Sequence, residues 1–199
     1  MIQATDSIPN KREHELNSLY TVGLICTLAF VTMTFAALLV VFIIRSRVSI
    51  NWDHIILPWV LWLDTVVLAA SSYTFEAGHK KLRANDQEGF YRWTLYTAAL
   101  GVVFLAGQLI AWWQIISAGQ LVRSNPHSSF FFILSGLHGI HILVALAGLG
   151  ALLYRTHEPA SGPRWQMTTR VMANAVGIFW HYLDGLWIVL LVLLLAVGR

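Results

Sequence analysis

Five long apolar segments dominate this chain, at approximately Tyr20–Ile44, Ile55–Gly78, Arg92–Ile116, Ser129–Tyr154 and Ala173–Val197. Each reaches the roughly 20 residues needed to cross the hydrocarbon core of a bilayer. In lipid, backbone N–H and C=O groups find partners only within helices or closed barrels, so every such segment is expected to be helical. Charged residues make up 12% of the chain and apolar ones 57%, against roughly 25% charged in soluble domains. The expectation is an all-α polytopic bundle of five transmembrane helices. It consists of one polar tail, residues 1–19, and one membrane domain, residues 20–199.

The segments between the spans are polar and carry turn signals such as Asn125-Pro126, Glu158-Pro159 and Ser161-Gly162-Pro163. They are read as Arg45–His54, His79–Tyr91, Ser117–Ser128 and Arg155–Met172, and none is long enough to separate domains. Lys11, Arg12, Lys80, Lys81, Arg83, Arg92, Arg155, Arg164 and Arg170 fall on one side of such a bundle, and Arg45, Arg47, Arg123 and Arg199 on the other. The positive-inside rule then places the N-terminus in the cytoplasm and the C-terminus outside. Trp52, Trp59, Trp93, Trp112, Trp113 and Trp165 lie near the expected interfaces, as an aromatic belt requires.

The formal charge of +3 is small and dispersed, with no basic block of the kind that binds nucleic acid. Cys26 is the only cysteine and lies in an apolar run, so no intrachain disulfide forms. Residues 1–16 are polar, and the first apolar run is too long for the core of a cleavable signal.

Polar groups inside the spans carry the functional information, because ionisable side chains at membrane depth are rare and used. Helical periodicity groups Asp64, Leu68, Ser71 and Phe75 on one face, and Thr97, Gly101, Phe104, Gln108 and Trp112 on another. The fourth span offers His138, His141, Ala145 and Gly148, and the fifth Asn174, Gly177, His181, Asp184 and Ile188. Small residues permit close approach, and polar ones then bond across the gap. Asp184 is expected to pair with His141 at the midplane, or with its neighbour His181. Two other uses stay open from the residues alone. His141 and His181 could be axial ligands of a haem, and the ionisable groups could line a proton or ion path. Nothing forms a nucleophile elbow or an equivalent catalytic arrangement.

Two longer patterns are more specific. Asn125–Leu149 reads NPHSSFFFILSGLHGIHILVALAGL, and Phe179–Leu191 reads FWHYLDGLWIVLL. The first resembles the signature of subunit III of haem–copper respiratory oxidases, with its phenylalanine pair followed by Gly-His-Gly-x-His. The second resembles that family's last helix, with Trp-His-x-x-Asp-x-x-Trp. LDTVVLAASSYTFEAGHKKLRANDQ and WTLYTAALGVVFLAGQ are similar to its intervening helices, and the resemblance runs from about Ala29 to the C-terminus. The length matches the five-helix bacterial form, which lacks the first two helices of the longer type.

The resemblance implies a subunit without a catalytic centre, in the bacterial inner membrane. It packs directly on subunit I, beside subunit II and small subunits, in a complex that reduces dioxygen to water and pumps protons. Haems and copper belong to the partner subunits, so this chain is expected to bind neither metal nor haem. A phospholipid is expected in a groove between its helices. Carried over, His138, His141, Trp180, His181, Asp184 and Trp187 are structural or lipid-site positions, and Asp64 and Gln108 are further intramembrane polar groups. The electron donor, cytochrome c or quinol, is left open. An accessory subunit of a nitric oxide reductase-like complex is the nearest alternative, and a bis-histidine membrane cytochrome a more distant one. The family's membrane glutamate in the helix matching the first span falls at or near Val31, and that span holds no acidic residue.

Overall fold

A computed structural model describes residues 7–48, 58–119, 126–157 and 162–197. It has five helices: α1 Ser7–Val48, α2 Val60–Arg83, α3 Gln87–Ser117, α4 Pro126–His157 and α5 Pro163–Val197. Trp52, Arg123, Arg199 and the Glu158-Pro159 turn lie outside the described residues. Four helices, α1 from Ser18, α3, α4 and α5 from Trp165, are long and apolar enough to cross a membrane. α2 differs: its last turns carry Glu76, His79, Lys80, Lys81 and Arg83, and the expected start of its span at Ile55 lies outside the described residues.

α1, α3 and α4 overrun the expected spans at both ends, α2 at its C-terminal end and α5 at its N-terminal end, and local capping signals set where several of them stop and start. The clearest case is the expected connection His79–Tyr91, of which only Ala84–Asp86 lies outside helix. Asn85 takes the left-handed conformation with φ of 60°. Its N–H bonds Leu82 O at 3.2 Å, and the Asp86 N–H bonds Lys81 O at 3.0 Å. This is a Schellman stop with asparagine in the position glycine usually fills. Asp86 then caps α3 by accepting the Gly89 N–H at 2.8 Å. That bond and the Lys81 ammonium hold the Asp86 carboxyl below the usual carboxylate range. Pro126 and Pro163 open α4 and α5, where a missing N–H costs nothing.

α2, α3, α4 and α5 form a closed ring in which each helix touches the next and α5 returns to α2, while α1 packs outside against α5 and α4. Leu61, Leu68, Phe75, Phe104, Phe131, Leu134, Ile142, Trp180, Leu183 and Trp187 fill the core. α1 contributes Val31, Phe35 and Phe42. Tyr182 and Thr32 hydroxyls, 2.7 Å apart, join α1 to α5. A smaller cluster of Leu82, Phe90, Leu152 and Ala173 closes the end where α2 turns into α3.

The expected inward faces hold for α2 and α3: Asp64, Leu68, Ser71 and Phe75 are buried, as are Thr97, Gly101, Phe104 and Gln108. On α4, His138 and Ala145 are buried, and His141 is only half-buried. On α5 the expected face is wrong. Asn174, His181 and Ile188 are exposed, and the inward stripe is Ala173, Gly177, Trp180, Leu183, Trp187 and Leu194. The reason is volume. α5 is apolar almost all round, and the two tryptophans remove more apolar surface than the small and polar stripe can.

Candidate functional site: the polar seams of the bundle

The polar side chains at membrane depth are held in seams between helices. On the α2–α3 seam, Gln108 Nε2 donates to Asp64 Oδ2 at 2.8 Å. Gly107 makes room for the carboxylate, since a Cβ there would stand 1.9 Å from Asp64 Oδ1. Farther along, the Thr74 and Thr97 hydroxyls meet at 2.9 Å. Asp64 and Gln108 are therefore partners of one another across two helices.

The α2–α5 seam is tied by tryptophan. Trp180 Nε1 donates to Ser71 Oγ at 3.1 Å, and Trp187 Nε1 to Thr65 Oγ1 at 3.2 Å. The two indoles stand seven residues apart and their acceptors six, which fits antiparallel helices in contact. Trp112 repeats the device between α3 and α4, donating to Ser135 Oγ at 3.0 Å. An indole N–H is a donor only and needs a partner when buried. Ser71, Thr65 and Ser135 supply it, in bonds not among those expected from the sequence. Their signal was present: hydroxyl residues on the inward face of one helix, at the spacing of tryptophans on its neighbour.

Asp184 does not meet His141. Ser72 Oγ donates to Asp184 Oδ2, and His181 Nδ1 lies 3.0 Å from the same Ser72 oxygen and 4.0 Å from Asp184. The serine proton is engaged by the carboxylate, so His181 Nδ1 is the donor to Ser72. The expected neighbour pairing, His181 with Asp184, is thus the one formed, with Ser72 as a third member. The His181 ring also meets Phe75 edge-on at 5.8 Å. His181 remains exposed on the outer side of this seam, close to the middle of α5.

His141 belongs to a different seam. Its Nδ1 donates to Leu137 O at 2.7 Å, and its ring packs on Phe35 of α1 at 5.6 Å. His141 and His181 therefore address different neighbours, α1 and α2, and do not face a common space as an axial pair must. His138 is fully buried between Phe104 and Trp187, with ring centroids at 5.7 and 5.4 Å. Neither of its nitrogens has a hydrogen-bond partner. His138, Trp180 and Trp187 are enclosed in the core and offer no surface to a lipid. Among the described residues, no three His, Cys, Asp or Glu side chains gather as a metal site would require.

Val31, at or near which the family's membrane glutamate is expected to fall, is 1% exposed and packed in the apolar core.

Comparison with known proteins agrees with this architecture. Residues 48–198 match the family model described as cytochrome c oxidase subunit III. A protein of Nocardia farcinica named probable cytochrome c oxidase subunit 3 is 32% identical over 184 residues, covering 89% of each chain. Cytochrome c oxidase subunit 3 of Thermostichus vulcanus is 26% identical over 192 residues, 94% of this chain and 91% of the relative. That of Synechocystis is 28% identical over 178 residues, 86% of this chain and 72% of the relative. With the motif helices forming the tied bundle described above, the chain belongs to the cytochrome c oxidase subunit III family.

Proposed function

We propose that this chain is the non-catalytic subunit III of a proton-pumping haem–copper terminal oxidase, packed directly on subunit I in a bacterial inner membrane. The observation that supports it most directly is the use of the motif residues. Trp180, His181, Asp184 and Trp187 all bond to α2, through Ser71, Ser72 and Thr65. Such groups hold a scaffold together. Redox and oxygen chemistry are then the work of the partner subunits, whose haems and copper this subunit does not share.

The exposed side of the Ser72–His181–Asp184 cluster supports direct packing on a partner. Polar groups at mid-helix face protein or water rather than hydrocarbon, and a neighbouring transmembrane subunit meets that need. A fifth span in α2 is supported by the ring, in which α2 packs beside both α3 and α5. Orientation has support from the same end of the bundle. Arg170 donates to Asn85 Oδ1 at 2.8 Å and Gln87 to Thr156 O at 3.0 Å, so the α2–α3 turn adjoins the α4–α5 end. Lys80, Lys81, Arg83, Arg92, Arg155 and Arg170 thereby gather at one end, which the positive-inside rule assigns to the cytoplasm.

Affinity purification of the tagged chain from membranes tests the reading. A large haem-containing membrane partner should co-purify, with a Soret band that is absent when the chain is purified alone. A Soret band from the isolated chain, or a partner set without haem protein, would overturn it.

A further inference from the structure

One outer face of α5 is left uncovered by the rest of the chain. Asn174, Ile178, His181, Gly185, Ile188 and Val192 are all exposed along it. They recur at alternating spacings of four and three residues, the pattern of a left-handed helix–helix seam. Around the helix, Gly177 and Asp184, which meet α2, lie to one side of this stripe. Tyr182, which meets α1, lies to the other. Among the described residues α1 and α2 do not touch. The stripe is therefore the floor of a groove whose walls are α1 and α2.

Two features of this floor have no use within the chain. The first is Gly185. A Cβ there would meet nothing within 4 Å, whereas Gly107 and Gly177 each make room for a side chain of α2. Glycine inside a helix costs stability relative to alanine, and in membranes small residues let a second helix approach closely. The second feature is His181 Nε2. The ring donates to Ser72 through Nδ1, and the serine proton goes to Asp184. In a neutral imidazole the other nitrogen is then an acceptor. Among the described residues no hydrogen bond reaches it. Asp184 Oδ1 is likewise without a partner. The hydrogens of the cluster are spent, and its remaining capacity is to accept.

His181 is the middle residue of the apolar stretch Trp165–Val197. At a rise of about 1.5 Å per residue it lies about 24 Å along the helix from either end. Water and headgroups do not reach that depth. Hydrocarbon chains carry no donor, and backbone N–H groups there are spent within helices. A side chain of another polypeptide can supply one.

We infer that a transmembrane helix of the partner subunit seats in this groove against Gly185 and donates a side-chain hydrogen bond to His181 Nε2. The donor is a hydroxyl, amide or indole group, because a carboxylate would set lone pair against lone pair. A second copy of this chain fits poorly. Its two-fold contact would bring the same stripe to both sides, and His181 at mid-depth would face another acceptor. The inference rests on the reading of the chain as a subunit of a membrane complex. It adds which face the partner covers and what chemistry it brings there.

The complex in detergent, set where the native chain retains half of its partner, provides the test. Gly185→Leu adds bulk where the chain itself leaves space and should weaken retention about tenfold. The isolated variant should unfold at the native midpoint. Gly150→Leu fills equally open space on α4 and should retain the partner as the native chain does. His181→Phe keeps a ring without the acceptor and should weaken retention about threefold, the scale of one interhelical bond. In the nitrogen-15-histidine complex, the ring signal lost in His181→Phe should show an unprotonated Nε2. That signal should shift upfield from its position in the isolated chain. A photo-cross-linker at Ile188 should attach to a transmembrane segment of the partner. Equal retention by the two glycine variants, a protonated Nε2, or a cross-link to a second copy or to lipid alone would overturn the inference. Equal retention of a haem-containing partner would leave the oxidase reading standing. Loss of a partner without haem from Gly185→Leu would refute that reading and keep the docking face.

Discussion

The indole N–H of Trp180 on α5 donates to the hydroxyl of Ser71 on α2 at 3.1 Å, and both side chains are fully buried. Ser71 in turn donates to Leu68 O at 2.7 Å within its own helix, so its oxygen is fixed in place to receive the indole. That hydroxyl is one of the side chains that fix how α5 is rotated against α2, with Thr65 and Ser72.

Removing that hydroxyl leaves a buried donor unpaired. Ser71→Ala should lower the stability of the solubilised bundle by about 1 kcal/mol, the scale of an interhelical bond in a membrane protein. Trp180→Phe should abolish most of the effect of adding Ser71→Ala, because the donor is gone. A denaturation series of the two single variants and the double variant measures the coupling. Full additivity would show that the bond contributes nothing.

The α2–α3 seam depends on a missing side chain. Gly107→Ala would put a methyl carbon 1.9 Å from Asp64 Oδ1 and drive the carboxylate away from Gln108. A loss of about 1–3 kcal/mol is expected for overpacking of this kind. Asp64→Ala in the Gly107→Ala background should recover part of it, which thermal unfolding of the pair would reveal.

His138 invites the opposite result. Its imidazole is buried against Phe104 and Trp187 with both nitrogens unpartnered. Exchanging a buried unpaired polar group for an apolar one of similar size is near neutral or stabilising. His138→Leu should therefore leave the unfolding midpoint unchanged or raise it. A loss of more than about 1 kcal/mol would show that the imidazole has a partner in the assembled membrane.

The α2–α3 turn carries a pH dependence. The Gly89 N–H and the Lys81 ammonium hold the Asp86 carboxyl below its ordinary value. A carboxyl depressed in the folded state stabilises above its unfolded pKa, and that contribution fades as pH falls through the folded value. The native chain should exceed Asp86→Asn in stability near neutral pH. The margin should be constant down to about pH 4 and shrink below it. Melting both proteins across this range checks the sign; a margin that widens in acid would refute it.

The sequence by itself determined the number of helices, their apolar length and the inward faces of α2 and α3. There, isolated polar residues at helical spacing mark one side of an otherwise apolar surface, as Asp64 and Ser71 do. The motifs of α4 and α5 also carried the family. Periodicity could not orient α5. Its surface is apolar nearly all round, and the choice between the Trp180–Trp187 stripe and the His181–Asp184 stripe depends on which volume fits the neighbouring helices. The tertiary structure decided that choice. It gave Asp184 to Ser72 and His181, sent His141 to α1, and replaced a presumed long loop with the tight stop at Asn85. Contacts between distant helices set all but the last of these, and a one-dimensional pattern records which residues share a face without recording which face meets which.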